Sequence, residues 1–270
     1  MTVRLLPLAL VLVLGGRDVL HGQARPVGLG PVVTDRPDKT ESTSIVPRRY
    51  AQLEAGWSLE TVNGAGTSLH THSVPGLLAR VGVSSRLEAR IGFAGFQLTN
   101  QVAPGAAEGL GDMDLGFKYR LANARGPLPD IALIAAMSVP TGAEGVTSGR
   151  ADPTVLLTLS RPLGDRVSVG SNLGSSWTTT DDGQGGRTTL MDLTYTLSFG
   201  VALSERVGTF AETFGSLPAG DGDHAHHLDG GVTFLVRDNL QLDVSAGRGI
   251  AGAGASDWFV GAGVSVRFPR

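Results

Sequence analysis

The sequence contains no cysteine, which excludes a disulfide framework and is compatible with export through an oxidising compartment. Charged residues account for only 17% of the 270 positions, the formal net charge is −3, and no Lys/Arg-rich patch occurs. A nucleic-acid partner is therefore not expected, because it would require clustered positive charge. No apolar run reaches the roughly 20 residues of a membrane-spanning helix. If the chain enters a membrane, it must do so as a closed barrel, since only helices and barrels satisfy every backbone group in lipid.

Glycine, by contrast, is abundant, with 39 residues, and the mean hydropathy is +0.09. This composition is typical of a sheet protein with one apolar face. The clearest strand pattern is Trp258–Phe268, in which every second residue is apolar and the intervening residues are mostly small or polar. Its length suits a tilted strand that crosses a bilayer, and aromatic residues stand at both ends of the apolar face. It also resembles the carboxy-terminal assembly signal of bacterial outer-membrane barrels.

Residues 1–24 have the organisation of a signal peptide. Arg4 supplies the positive start, Leu5–Leu14 the apolar core, and Gly22-Gln23-Ala24 a small-x-small cleavage site. We expect the signal peptide to be cleaved. An extended segment over residues 25–47, periplasmic or lumenal, is then followed by a barrel over residues 48–268.

Alternation of apolar and polar residues predicts an all-β fold, a transmembrane antiparallel β-barrel of about twelve strands. Strand nine is ambiguous, because Phe210, Glu212 and Phe214 share a face. The predicted strands are Tyr50–Thr61, Leu69–Val83, Arg86–Thr99, Leu110–Leu121, Ile131–Val139, Thr154–Ser160, Val167–Trp177, Met191–Val201, Val207–Gly215, Leu228–Val236, Leu240–Ala246 and Trp258–Phe268.

The lengths of the connections support a membrane barrel over a soluble sandwich. Connections after strands two, six, eight and ten are tight, as at Ser84-Ser85 and Asp238-Asn239, whereas most odd-numbered connections are longer. Outer-membrane barrels have this asymmetry, with short periplasmic turns and longer outer loops. Only Ala122–Asp130 departs from it.

Several fragments, among them Thr34–Asp38, Gln52–Gly56, Gly116–Arg120 and Asn239–Asp243, occur in an order that resembles the family of outer-membrane transporters associated with the meta-cleavage pathway of phenol degradation, the MetA-pathway family. The resemblance spans about Thr34 to Phe268 and implies a barrel that moves small, including aromatic, molecules. Lys39 stands where such sequences usually carry an apolar or aromatic residue. The fragments include Thr34–Asp38, Glu41-Ser42, Val46-Pro47, Gln52–Gly56, Gly111-Asp112, Gly116–Arg120, Val139–Gly142, Ala211-Glu212, Phe214-Gly215 and Asn239–Asp243.

The inward register is predicted to carry many charged residues, which are the candidates for selectivity in the lumen. They could form a narrow charged channel, or they could pair with one another and plug a wet interior. The candidates are Glu54, Arg80, Glu88, Arg90, Asp112, Asp114, Lys118, Arg120, Asp192, Glu212, Asp229, Asp243 and Arg267.

Asp35, Arg36 and Asp38 are candidate gate residues. They lie in a charged, proline-containing stretch directly before the first strand. We hypothesise that this stretch folds into the lumen and pairs with inward cations, namely Arg80, Arg90, Lys118 or Arg120.

Metal binding and hydrolytic catalysis are two further functions that the sequence could encode. His70 and His72 are predicted to face inward near the outer mouth, and a second group lies in an outer loop, but neither has the spacing of a structural zinc site. Solvated loop residues are the favoured interpretation, and a metal site over His70, His72, His224, His226 and His227 is the disfavoured one. For hydrolytic catalysis, Ser171 and Ser175 are predicted to face outward with no histidine on that face, and no Gly-x-Ser-x-Gly, phosphate-loop or HExxH motif occurs.

The sequence therefore predicts a porin-like channel of the bacterial outer membrane for passive uptake of small solutes, including aromatic or hydrophobic ones. The alternative is a structural or surface-binding outer-membrane protein with a plugged lumen. No enzymatic activity and no cofactor are expected. The expected partners are outer-membrane lipid, a small-molecule solute and the barrel-assembly machinery, which would read the carboxy-terminal strand.

Overall fold

A computed structural model describes residues 29–64, 67–99, 108–182, 185–220 and 222–270. The chain divides into two compact units, residues 1–30 and 31–270. The predicted signal peptide, residues 1–24, lies outside the described residues. Among the described residues, no helix has the length and apolarity needed to cross a membrane.

The second unit is built from β-strands that alternate apolar and polar side chains. In chain order they are β1 (Tyr50–Gly64), β2 (Thr67–Gly82), β3 (Leu87–Phe93), β4 (Phe96–Thr99), β5 (Gly109–Leu110), β6 (Met113–Ala122), β7 (Asp130–Val139), β8 (Pro153–Pro162), β9 (Val167–Asp181), β10 (Arg187–Ala202), β11 (Val207–Pro218), β12 (Ala225–Arg237), β13 (Leu240–Ala251) and β14 (Trp258–Pro269).

These segments form a closed antiparallel barrel of twelve strands. Segments β3 and β4 both pair with β2 and are two halves of one barrel strand, and β5 and β6 are likewise two halves of the next. The barrel closes because β1 pairs with both β2 and β14, with Leu53 opposite Ala79 on one side and Val266 on the other. The predicted strand number and fold class are confirmed.

The wall separates two environments. Among the described residues only five hydrophobic side chains are buried, against twenty-two polar or charged ones, and the fully buried side chains include Arg80, Lys118, Glu54 and Glu88. Large apolar side chains lie instead on the outside, where Leu115 is 51% exposed and Val244 55% exposed. A soluble protein would bury these side chains, so this arrangement indicates that the outer wall faces lipid.

In three neighbouring strands, the alternation of inward and outward side chains is interrupted and then reversed. The interruptions lie at about the same height in the barrel wall. Opposite Gly56–Ser58 of β1, strand β2 contains one extra residue next to Pro75. The following two strands are interrupted between β3 and β4 and between β5 and β6. Gly95, in the first interruption, has φ of +87° and backs onto the Pro75 carbonyl. As a result Leu110 and Met113 both point outward, although they are three positions apart.

The connections follow the predicted asymmetry. Strands join by short turns at residues 83–86, 163–166, 203–206 and 238–239, whereas residues 123–129 form the longer exception. Val32 donates its backbone N–H to Asp238 O at 2.7 Å, which places the start of the described N-terminal segment at the tight-turn end of the barrel.

Candidate functional site: the charged lumen and its N-terminal segment

Residues 31–47, called here the lumenal segment, run inside the barrel before β1. Along its length the segment bonds to inward side chains of several strands. Its Glu41 N–H donates to Asn172 of β9 at 2.7 Å, and its Val46 N–H donates to Glu88 of β3 at 2.8 Å. Residues 31–47 thus contact the inward side chains of the barrel.

Asp35 is the central anchor of the segment. Its carboxylate lies 2.8 Å from Lys118 Nζ, 2.6 Å from Arg90 Nη1 and 3.1 Å from Arg80 Nη1. Its backbone N–H donates to the Glu54 carboxylate at 3.0 Å. Side chains from four barrel strands thus converge on one residue.

The cations around Asp35 have further partners. Arg80 contacts Glu54 at 3.0 Å and Glu88 at 2.9 Å. Arg90 Nη2 donates to both carboxylate oxygens of Glu41, at 2.9 and 2.8 Å, in charge-assisted hydrogen bonds. We call this group the Asp35 cluster; it comprises Asp35, Glu41, Glu54, Arg80, Glu88, Arg90 and Lys118.

The lumenal segment changes the charge balance of the Asp35 cluster. The barrel supplies three cations and two carboxylates, which leaves a formal charge of +1 in a buried place. The segment adds the carboxylates of Asp35 and Glu41. The docked cluster then contains three cations and four carboxyl groups. Each cation has a carboxylate partner from the segment, and the formal charge is neutral when one carboxyl keeps its proton.

The opposite wall of the lumen is acidic. Strands β11, β12 and β13 present Glu212, Asp229 and Asp243 inward, and the segment offers this wall its own cationic residues. Arg36 contacts Asp243 at 3.1 Å, and the Lys39 backbone N–H donates to Glu212 at 2.7 Å. The segment therefore turns the carboxylates of Asp35 and Glu41 toward one wall and the guanidinium of Arg36 toward the other.

Two glycines make room for Arg36. A Cβ atom at Gly56 or at Gly263 would overlap the Arg36 guanidinium. These glycines face each other across β1 and β14. Their missing side chains allow the guanidinium to lie close to the wall and reach Asp243.

The carboxyls of the segment have shifted pKa values. Burial alone would raise the pKa of Asp35, but Arg80, Lys118 and Arg90 together hold it well below its usual range. Burial raises the pKa of Asp38 well above its usual range, and the Glu212 carboxylate adds to that effect. Burial and then the Asp35 carboxylate raise the pKa of Glu41 to about 7, against the opposing effect of Arg90 and Lys118.

The remaining predicted lumen residues belong neither to the Asp35 cluster nor to the acidic wall of Glu212, Asp229 and Asp243. Asp112 accepts the backbone N–H groups of Thr141 and Gly142, at 2.9 and 2.8 Å, and so holds the loop after β7. Arg267 donates to backbone oxygens at the tight-turn end. Asp114 lines two cavities described below, Asp192 lines a separate outer pocket, and Arg120 has a buried Nε without a hydrogen-bond partner in the described structure.

The gate candidates reach different partners. Asp35 contacts three of the four cations named in the hypothesis, whereas no contact with Arg120 is found among the described residues. Arg36 pairs with Asp243, and Asp38 accepts from Ser198 Oγ at 3.3 Å. Glu41 was not among the predicted gate residues although it binds Arg90. Its position in the sequence next to Ser42 gave no indication of a charged partner.

The histidines correct the sequence analysis. His70 and His72 are not inward: His72 stacks on Trp57 with ring centroids 5.9 Å apart, and His70 lies 6.2 Å from Trp258. The extra residue near Pro75 reverses the faces of the residues before it, which simple alternation could not anticipate. The expectation that no histidine shares the outward face is therefore wrong.

The other histidines divide between the two faces. His226 bonds to Tyr195 on the outside at 2.8 Å, and His227 points inward against Phe214. Within the part of the chain that the structure describes, no three His, Asp or Glu side chains form a group that could hold a metal ion.

Cavities lie on both sides of the lumenal segment. An outer vestibule of about 550 Å³ has a polar lining that includes Thr71, Gln97, Asp112 and Ser138. It shares Ala94, Asp114 and Thr154 with a deeper pocket of about 330 Å³, which is lined by Leu78, Ile134, Ala136 and Leu156 and reaches Glu41 and Arg90. A third cavity, of about 450 Å³, lies at the tight-turn end against residues 32–34 and 36–38.

A closed antiparallel barrel with an apolar outer wall and a charged lumen is a bacterial outer-membrane β-barrel. The chain belongs to the family described as "Putative MetA-pathway of phenol degradation", whose sequence profile matches residues 34–268. This confirms the predicted family and the location in the bacterial outer membrane. No curated protein matches the sequence.

Solved structures share the fold. The COG4313 outer membrane channel from Pseudomonas putida F1 is 14% identical, with a TM-score of 0.65 over 91% of this chain and 100% of that one. The NanC porin is 10% identical, with a TM-score of 0.55 over 80% and 98% of the two chains. The translocator domain of the autotransporter NalP from Neisseria meningitidis is 12% identical, with a TM-score of 0.52 over 81% and 88%.

Proposed function

We propose that the protein is a passive channel for small solutes, including aromatic or hydrophobic ones, and that the lumenal segment is its gate. The observation that carries the proposal is the position of the segment between the outer cavities and the cavity at the tight-turn end. A solute that crosses the barrel has to pass this segment.

The lining of the deeper pocket supports this class of solute. Leu78, Ile134, Ala136 and Leu156 offer apolar contacts in a pocket of about 330 Å³, and Arg90 and Asp114 add polar groups. A mostly apolar pocket of this size with a few polar groups suits a small ring that bears a hydroxyl or a carboxyl. The family description and the channel fold agree with this class of solute.

Passage would follow a concentration gradient and would need no covalent chemistry. The segment is held by buried ion pairs, so opening requires them to be exchanged for contacts with water or solute. The outer-membrane lipid and the assembly machinery remain proposed partners. The exposed apolar wall would contact the lipid, and β14 would contact the machinery.

The alternative is a barrel whose plugged lumen does not conduct. Its support is the same ion network: Arg80 and Lys118 are fully buried and each has close carboxylate partners. Such a network can be purely structural.

Liposome swelling distinguishes the two functions. Three proteins are compared after reconstitution: the unmodified chain, a variant lacking residues 31–47, and Arg187→Gln as a control at the outer end of β10. A channel with a segment gate predicts slow entry of phenol-sized solutes through the unmodified chain and the control, and at least tenfold faster entry through the deletion variant. A folded deletion variant that admits no solute would reject the channel. Equal, rapid entry through all three proteins would reject the gate.

A further inference from the structure

Three aromatic side chains meet on the inner wall, toward the outer half of the lumen. Phe214 of β11 stacks on His227 of β12 with ring centroids 4.8 Å apart and planes inclined by 12°. Phe259 of β14 meets both rings edge-on, at 5.8 Å from Phe214 and 5.9 Å from His227. We call these three residues the aromatic site.

The absence of a side chain at Gly247 allows the Phe259 ring to lie against β13. A Cβ atom at Gly247 would collide with the Phe259 ring and with Asp229. The His227 ring is also fixed, because its Nε2 accepts the Ser256 N–H at 3.2 Å. The site is therefore a formed surface with fixed rings.

The site already holds a cation. The ammonium group of Lys39, from the lumenal segment, lies 6.0 Å from the ring centroid of Phe214 and 6.0 Å from that of Phe259. Within the described residues this ammonium makes no ion pair within 4.0 Å, although the acidic wall is adjacent. The Phe214 and Phe259 rings are therefore favourable partners of this ammonium, through the attraction between a cation and the electron-rich face of an aromatic ring.

A second feature indicates a site for positive charge. Asp229 lies two positions after His227 on β12, on the same inward face. Its side chain is buried, at 9% exposure, and lies directly opposite Glu212 of β11; among the residues that the structure describes, no amide, alcohol or cationic group donates to either of its carboxylate oxygens. A buried carboxylate without a donor is unfavourable unless a cation or a proton reaches it.

We propose that the aromatic site and Asp229 together form a binding site for organic cations, occupied in the resting protein by the ammonium of Lys39. A small amine or quaternary ammonium ion would replace Lys39, with its apolar groups against Phe214 and Phe259 and its charge toward Asp229. Such a ligand would compete with the lumenal segment for the same place. This site is separate from the apolar pocket of the proposed channel function.

Calorimetric titration of the purified protein in detergent with tetramethylammonium chloride tests the site without any transport measurement. Lys39→Ala removes the internal competitor and should lower the dissociation constant at least tenfold. Lys39→Arg keeps a cation over the rings and should bind like the unmodified chain. Phe214→Leu introduced into the Lys39→Ala protein should weaken binding at least tenfold, and Asp229→Asn several-fold.

Phe210→Leu in the Lys39→Ala protein is the matched control, since Phe210 is on the same strand and face but outside the aromatic site. It should leave binding unchanged. The proposal is overturned if Lys39→Ala binds no more tightly than the unmodified chain, or if Phe214→Leu and Phe210→Leu behave alike. The change in electrophoretic mobility on heating, which distinguishes folded from unfolded barrels, shows that each variant is folded.

Discussion

At the scale of single residues, Asp35 joins the lumenal segment to the barrel. One side chain and one backbone N–H contact Arg80, Arg90, Lys118 and Glu54. Removing one partner of a buried ion network costs far more than removing an exposed ion pair, because the remaining charges stay buried and uncompensated.

Asp35→Asn should therefore release the segment. The variant removes the segment carboxylate that contacts Arg80, Arg90 and Lys118 together, and we expect a loss of about 3–5 kcal/mol in the free energy of docking. Hydrogen–deuterium exchange of residues 31–47 should rise strongly, while exchange of the strands stays slow. Asp165→Asn, in an exposed turn, is the control; exchange that is the same in both variants would contradict the anchoring role.

At the scale of the strands, the outward face of the barrel contacts lipid. The cost of a charged side chain on this face depends on its depth in the bilayer. Val264 lies in the middle of β14, points outward, and pairs with Ala55 and Leu242. Val167 also points outward but is the first residue of β9, next to a tight turn.

Val264→Arg should destabilise the folded barrel by about 2–4 kcal/mol, and Val167→Arg by only about 0–1 kcal/mol, because a charge near the end of a strand reaches the headgroups. Urea unfolding in lipid vesicles measures both changes in the free energy of unfolding. Equal losses for the two variants would show that β14 does not cross the bilayer as described.

At the scale of the whole molecule, the barrel and the segment form one electrostatic system. One wall carries three cations against two carboxylates, the other carries Glu212, Asp229 and Asp243, and the segment is complementary to both. Docking of the segment should therefore depend on pH through the carboxyls that it carries.

Whether docking strengthens or weakens with rising pH follows from the direction in which each pKa is shifted. The depressed pKa of Asp35 gives a stabilisation that is complete at mildly acidic and neutral pH and is lost only in strong acid. Glu41 has its pKa raised to about 7, so the docked segment binds more protons than the released one between about pH 4.5 and 7. Docking should weaken as the pH rises through this range, and the raised pKa of Asp38 acts in the same direction.

Single-channel recordings at pH 5 and pH 7.5 should therefore show several-fold more frequent opening at the higher pH. Glu41→Gln cannot ionise and should reduce this difference. A pH response of Glu41→Gln equal to that of the unmodified chain would assign the effect to other groups.

Side-chain alternation along the sequence was enough to predict the strand number and the closed barrel, because this alternation is a local property of a strand that a lipid and water environment selects. Alternation failed at Pro75, Gly95 and Gly111, where irregular backbone reversed the faces and moved His70 and His72 outside. The match between the segment and the two walls, the pairing of Glu41 with Arg90, and the meeting of Phe214, His227 and Phe259 depended on the tertiary structure. Most of these contacts join residues that are far apart in the sequence, and the pairing of the strands and the closure of the barrel decide which of them meet in the lumen.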